Sequence, residues 1–457
     1  MAGYGDIRLE ARGDELIERI SGLGTLVLRK VGGNRAGEVG AHRFLSSAKT
    51  SVEAIIGTLA ERTRQAAQGL DIVCAQDTTD LNFGGAHGTR GGLGIAGNGR
   101  MSGFFAHALV SIDAESESVL GLSDAQIWTR PQEPIEPRWT RHPDDKESAR
   151  WLKGLLNARD ALIGAARITV VGDRESDIYH MFANRPAGVE VIVRARHDRK
   201  LIKAREATQE DQGTAMLFET LASAPVQAIT TVNVAPKGPG DKGRIATVEL
   251  RHLKATIAPA RDAVAGSQPV SIFAIEAREI NPPAPQSNAR PALHWTLIAT
   301  QERPAEEIVQ LYRLRWRIEE VFRVLKRDGL AFGETQIRSP QRLFKLAALA
   351  LGAAARTIQL VDARDGSDRP DSDVIDPVFR PALVAISQKL EGKTEKQKNP
   401  HPLRSLAYVA WICARLGGWN CYYKPPGPKT MRDGWNTLTQ QLTGYAIALS
   451  ANEVHDV

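Results

Sequence analysis

Cysteine is nearly missing: Cys74, Cys413 and Cys421 are the only three in 457 residues. They form no CxxC pair and no metal-type cluster with histidine. A disulfide framework is therefore not expected, and a reducing cytoplasm is the expected setting. The ten histidines are scattered singly, which argues against a zinc site. Long apolar runs are lacking too. The longest, Leu346–Ala355, is bracketed by Lys345 and Arg356 and is too short to span a bilayer, so a buried core helix and no membrane association are expected. The opening "MAGYGDIRLEARGDELIERI" has no apolar segment of the signal-peptide kind.

What is present is the composition of a globular protein, 42% hydrophobic and 25% charged. The length suggests roughly two to four domains. The net charge of +6 and pI near 9.2 favour a polyanionic partner without proving one.

Residues 1–66 read as helical. "GDELIERISGL" has helical apolar spacing, and "TSVEAIIGTLAERTRQAA" opens with Thr50 or Ser51 as N-cap and Glu53 close behind. Between them lies a basic, glycine-rich stretch. Its Arg29, Lys30, Arg35 and Arg43 suit either DNA docking or a solvated helical cap. Residues 67–365 then read as a mixed α/β sheet. "LDIVCAQDTT", "HALVSID" and "LSDAQIWTR" are strands in series, followed by helix "DKESARWLKGLLNARDAL", strand and helix in "ARITVVGDRESDIYHMF", and strand "GVEVIVRARHDRK". A β-rich insertion is expected at about 208–290, then strand "LHWTLIAT" and one long helix over Arg303–Arg327. Residues 366–457 read as helical, with a basic linker "KTEKQKNPHP".

The stretch "YRLRWRIEEVFRVLK" carries the chemistry. At about 100° per residue, Tyr312, Arg315, Glu319 and Lys326 share an arc roughly 60° wide. Leu311, Leu314, Ile318, Val321, Phe322 and Leu325 fill the neighbouring stripe, so Glu319 borders the buried face while Glu320 points to solvent. The plainer alternative for Glu319 is an i,i+4 partnership with Arg315 or Arg323. Asp77 and Asp173 close the strands "IVCAQD" and "ITVVGD"; each alone could be a turn or capping aspartate. Carboxylates at the carboxyl ends of neighbouring strands converge at the sheet edge, and a helix packed across that edge would add Glu319. One such pair at 4 Å repels by about 4 kcal/mol at an effective dielectric of 20. Protonation or a divalent cation relieves this. Hard oxygen ligands suit Mg²⁺ or Mn²⁺, two of which can serve a phosphodiester. Tyr312, Arg315 and Lys326 then fit phosphates of a DNA backbone.

The Tyr-x-x-Arg-x-x-x-Glu-x-x-x-x-x-x-Lys spacing resembles the signature of bacterial cut-and-paste DDE transposases of the insertion-sequence-four family, and "RWRIEE" looks closest to the transposon-five type. "DTT" at Asp77–Thr79 and "GDRESDI" at Gly172–Ile178 resemble its two acidic blocks; "DKESARWL", "VRARHDRK", "GAHRFL" and "ARLGGW" also look like family segments. The resemblance implies a ribonuclease-H-like core with a β-rich insertion, flanked by a helical N-terminal DNA-binding domain and a helical C-terminal dimerisation domain. It implies a catalytic and metal-binding triad of Asp77, Asp173 and Glu319, with Trp295 stacking a flipped base and Arg194, Arg196, Arg199 and Lys200 contacting DNA. A plain core aromatic is the other reading of Trp295, and a solvated cluster that of the basic block. The implied chemistry is nicking at transposon ends, hairpin formation and strand transfer into target DNA by a homodimer. One departure is the glycine-rich "NFGGAHGTRGGLGIAGNGR", with Phe104–Phe105 where relatives can carry tryptophans.

Three rivals remain. Gly92, Gly94 and Gly97 form G-x-G-x-x-G, followed by Asp113, as in a dinucleotide-binding dehydrogenase. That pattern needs a helix at the glycines, which Asn98, Gly99 and Gly103 disfavour. The others are a metal-dependent nuclease without strand transfer and an inactive DNA-binding inhibitor; the latter would lack a carboxylate, and all three are present.

Overall fold

In the computed structural model a mixed sheet, ten-stranded among the described residues, carries the candidate residues. The described residues are all but 1–2, 84–89, 98–100, 132–145, 203–214, 235–242, 261–262, 264–265, 285–290, 329 and 456–457. Parts of the glycine-rich segment and of the expected insertion lie outside them. So does Asp145 of "DKESARWL".

β1 (Asp71–Phe83), β2 (Ile95–Ala96), β3 (Met101–Asp113) and β4 (Val119–Trp128) form an antiparallel group in which β3 pairs with the other three. β5 (Arg167–Gly172) and β6 (Val189–Arg194) follow parallel to β1. The resulting order β4-β3-β1-β5-β6 is consistent with a ribonuclease-H-like core. β7 (Val226–Val234), β8 (Arg244–Ile257), β9 (Val270–Glu279) and β10 (His294–Ala299) do not stand apart. They extend the same sheet, because β10 pairs antiparallel with both β6 and β9.

The central strands are covered on both sides, which explains their unbroken apolar runs. Ile72 and Cys74 of β1 face one core with α5 (Ala149–Ala161), α6 (Tyr179–Ala183) and α7 (Leu217–Ala222). Val73 and Ala75 face the other. It includes α1 (Ile7–Leu23), α2 (Leu28–Gly32), α3 (Arg35–Ser46), α4 (Val52–Ala66), α8 (Ala305–Arg313), α9 (Trp316–Arg323) and α10 (Pro340–Ala363). α10 contains the apolar run at 346–355. It is long and apolar enough to cross a membrane, but most of it is buried inside the protein. α11 (Arg380–Leu390), α12 (Leu406–Leu416) and α13 (Pro428–His455) close a third core with the end of α10.

Three expectations need correction. β1 runs on past Asp77 to Phe83, so Asp77 lies mid-strand. The expected long helix is two, α8 and α9, followed by a π-turn at Val324–Asp328. Its break at Leu314–Arg315 is a tightened i→i+3 turn with no Gly or Pro to announce it. The glycine-rich N-terminal stretch is helical, as read for residues 1–66, and forms the helix pair α2–α3. A Cβ at Gly37 would sit 2.1 Å from the Gly32 carbonyl oxygen, so glycine permits that approach. The "linker" around 393–402 is pinned, with Asn399 Nδ2 donating to Ser387 Oγ and to the Tyr408 carbonyl. Among the described residues no helix opens at Gly92, Gly94 and Gly97, as the dehydrogenase pattern requires; β2 lies between the second and third of them instead.

Candidate active site

Register sets two of the acids. β1 and β5 pair in parallel from Asp71↔Arg167 to Ala75↔Val171. The same offset carried two residues on brings Asp77 level with Asp173. At that point β5 ends in a tight turn. A Cβ at Gly172 would lie 2.3 Å from Ser176 Oγ, so only glycine lets the chain turn there. Asp173 caps the turn by accepting from the Glu175 amide at 2.8 Å. α9 packs against β1 and brings Glu319.

Arg315 joins the group. Its Nη1 donates to Asp77 Oδ2 at 3.2 Å, and its two terminal nitrogens lie 3.5 and 3.4 Å from Glu319 Oε1. Asp77 and Arg315 are 19% and 15% exposed, so their charges are poorly screened by water. Burial, and next the Asp173 charge, push the Asp77 carboxyl up to about 7; Arg315 opposes the shift and Glu319 adds to it. Burial works against the Arg315 charge, yet Tyr312 and the three carboxylates hold its pKa above the ordinary value. One guanidinium thus faces three acids. Glu320 is turned elsewhere, pairing with Arg317 at 2.7 Å.

The carboxylates suit a hard divalent cation in donor type and in their shortage of positive charge. They are not arranged around one: among the described residues no three His, Cys, Asp or Glu side chains stand close enough together to hold a metal ion. Arg315 occupies the space between two of them.

The other anticipated residues divide. Tyr312 is 5% exposed and meets Trp295 edge-on at 5.3 Å, rather than lying open along a phosphate path. Both line a cavity of about 500 Å³ together with Arg194, Arg315 and Trp316. Arg194 donates to the His294 carbonyl at 3.0 Å, and burial depresses its pKa. Lys326 pairs with Asp80 at 2.9 Å and sits on the π-turn that follows α9, not on one regular helix with Glu319. Arg196 and Lys200 are exposed. Arg199 is not a solvated cation but the partner of Asp177, whose side chain is fully buried. Phe104 is buried among Phe83, Phe332 and Phe344, and Phe105 stacks on Trp128.

A support for Asp77 escaped the sequence reading. Gln76 and Thr78 flank Asp77 and point to the opposite face of β1. Arg150 Nε donates to Thr78 Oγ1 at 3.0 Å. The Thr78 hydroxyl is then free to donate to His107 Nδ1 at 2.9 Å, leaving the ring proton on Nε2, 3.3 Å from Gln76 Oε1. Burial holds His107 well below its usual pKa, so the ring is neutral. One imidazole from β3 therefore clamps both neighbours of Asp77. The only sequence signal was indirect: Thr78 in "DTT" and Arg150 in "DKESARWL" sat in segments already singled out.

Against known families the correspondence begins after Asp77 and spans Asp173, Glu319 and the strands between them. Residues 155–356 match the family model described as a transposase DDE domain, which supports a DDE transposase with a DNA-cutting function.

Proposed function

We propose that this chain is a cut-and-paste DNA transposase of the insertion-sequence-four, transposon-five-like kind. In this reading Asp77, Asp173 and Glu319 hold Mg²⁺ or Mn²⁺, as two ions. When bound, the ions lower the pKa of the attacking water or 3′-hydroxyl and stabilise the leaving oxygen. The observation that supports the reading is that Asp173 and Glu319 both act electrostatically on Asp77, whose carboxyl burial and these charges raise to about 7, and that all three act on Arg315.

The chain's own residues bind and orient. Arg194 and Arg315 feel the charge of the acids, and Lys326 is held by Asp80 on the strand that carries Asp77; these cations suit phosphates, and Tyr312 offers its hydroxyl at the cavity wall. Trp295 offers an aromatic face to an unstacked base, an interaction worth about 1–3 kcal/mol. Arg196 and Lys200 extend the cationic path, while Arg199 holds their loop through Asp177. The helical residues 1–66 expose Arg29, Lys30, Arg35 and Arg43 and supply further DNA contacts. The helices within 366–457 supply the homodimer contact that brings two transposon ends together. The protein acts in the cytoplasm, on the nucleoid.

The test uses DNA carrying the terminal inverted repeats that flank the coding region, with Mg²⁺ and the full-length protein. Nicks, hairpin ends and joined products are expected. Cleavage without joined products would reduce the protein to a nuclease. DNA binding without any cleavage would favour an inhibitor copy.

A further inference from the structure

Arg315 lies between Asp77 and Glu319, two of the acids assigned to the metal, and this bears on how the site is switched on. Its guanidinium touches Asp77 and Glu319 at once, through contacts of 3.2–3.5 Å that lie at the long end of hydrogen bonding. Three other nearby cations are engaged elsewhere. Lys326 holds Asp80, Arg194 donates to the His294 carbonyl, and Arg150 is bonded to Thr78 and the Glu147 carbonyl. Arg315 also sits on the tightened turn between α8 and α9, where the Leu314, Arg315, Arg317 and Ile318 amides bond three residues back. Such a turn marks a point where a helix can rotate. Beside it lies the 500 Å³ cavity shared by Arg194, Trp295 and Tyr312, which gives a displaced guanidinium somewhere to go.

We infer that Arg315 is a built-in counter-cation that must leave Asp77 and Glu319 before divalent ions occupy them, and that the released guanidinium then serves a DNA phosphate. The inference rests on the metal-site reading above. Metal and DNA binding then favour the same rotated state of Arg315, and each strengthens the other by the same factor. The close three-acid cluster that the described residues lack is assembled only as Arg315 departs. Without DNA the cation competes with metal, so the site stays weak until an end is bound.

The test measures Mn²⁺ affinity of the full chain by electron paramagnetic resonance, with and without a pre-cleaved duplex ending in the terminal repeat. For the native chain the duplex should raise Mn²⁺ affinity about 5- to 150-fold. Arg315→Gln, freed of the competitor, should bind Mn²⁺ more tightly than the native chain without DNA and gain little from the duplex. Arg315→Lys, which keeps a charge, should restore weak binding without DNA. Thermal melting of each variant verifies folding. Arg315→Gln with equal or weaker Mn²⁺ affinity, or with an undiminished DNA effect, overturns the inference. Asp77→Asn separates the two levels: if it leaves Mn²⁺ affinity unchanged, the metal site itself is wrong and this inference goes with it. If it loses Mn²⁺ while Arg315→Gln gains nothing, only the counter-cation role fails.

Discussion

Asp173 and Asp177 sit in the same "GDRESDI" segment, yet their surroundings are opposite. Asp177 is fully buried and saturated. It accepts from the amides of Arg196 and His197 at 2.7 and 2.9 Å and from the Arg199 guanidinium. Asp173 accepts from the Glu175 amide and otherwise raises the pKa of Asp77 across the gap. A carboxylate with every lone pair engaged holds a loop in place. A carboxylate left facing other carboxylates keeps donors to spare, and spare hard donors are what a cation site requires.

Substitution should split the pair in kind. Asp173→Ala, like Asp77→Ala and Glu319→Ala, should remove Mg²⁺-dependent cleavage by on the order of a thousand-fold or more, while gel-shift binding to DNA ends persists. Asp177→Ala should instead strand a buried guanidinium and cost about 3–5 kcal/mol of stability, read as a lower urea midpoint. Retained cleavage in an Asp173 variant, or an unaltered midpoint in Asp177→Ala, would reverse the assignment.

The mutual repulsion of the acids should also be a burden to the metal-free protein. The Asp77 carboxyl is raised in the folded protein to about 7 from its ordinary 3.8. The folded state therefore holds this proton more tightly than the unfolded one. Its contribution is fully present below about pH 4 and is lost as pH rises through 7, up to about 4 kcal/mol in all. Asp77→Asn carries no such proton. In EDTA its melting temperature should exceed that of the native chain at pH 8 and lose that advantage by pH 4. A native chain that is the more stable at pH 8 would show that Arg315 already neutralises the site.

Support behind Asp77 should matter less than Asp77 itself. Thr78→Val breaks the link between Arg150 and His107, and Mn²⁺ affinity should fall about 10- to 100-fold. Thr78→Ser keeps the hydroxyl and should restore it. Equal loss in both would point to packing of the methyl group rather than to the hydrogen-bonded clamp.

The sequence showed most of the frame, and the reason is physical. β3, β5, β6, β8 and β9 announce themselves because burial on one or both faces writes apolar alternation or apolar runs into the chain. Glu319 was legible as an acid on the rim of an apolar stripe, and Asp173 as the residue after a buried strand. The second half of β1 was hidden because its run of Thr78, Thr79, Asp80 and Asn82 is polar, with Thr78 serving the clamp and Asp80 holding Lys326 and Asn82. The α8–α9 break and the π-turn were hidden because tertiary contacts, not local propensity, impose them. Arg199 looked like surface charge because its partner is twenty-two residues away in sequence.

Lys326 extends the comparison of saturated and spare groups to the cations, with the smallest effect. Its pair with Asp80 spans 2.9 Å, but both side chains are about a third exposed. Burial of Asp80 works against its charge, but hydrogen bonding and attraction from Lys326 still lower its pKa. A partly exposed pair of this sort is worth only about 0–1 kcal/mol, so an arriving phosphate can take the ammonium away at little cost. Lys326→Ala should then weaken binding to all DNA sequences alike and reduce the slope of log affinity against log salt by about one. Arg199→Ala is the contrasting case: its guanidinium is locked on Asp177, so the slope should stay as it is while stability falls. If the two variants give the same slope, Lys326 is held by Asp80 as firmly as Arg199 is by Asp177, and its positive charge belongs to the fold rather than to DNA.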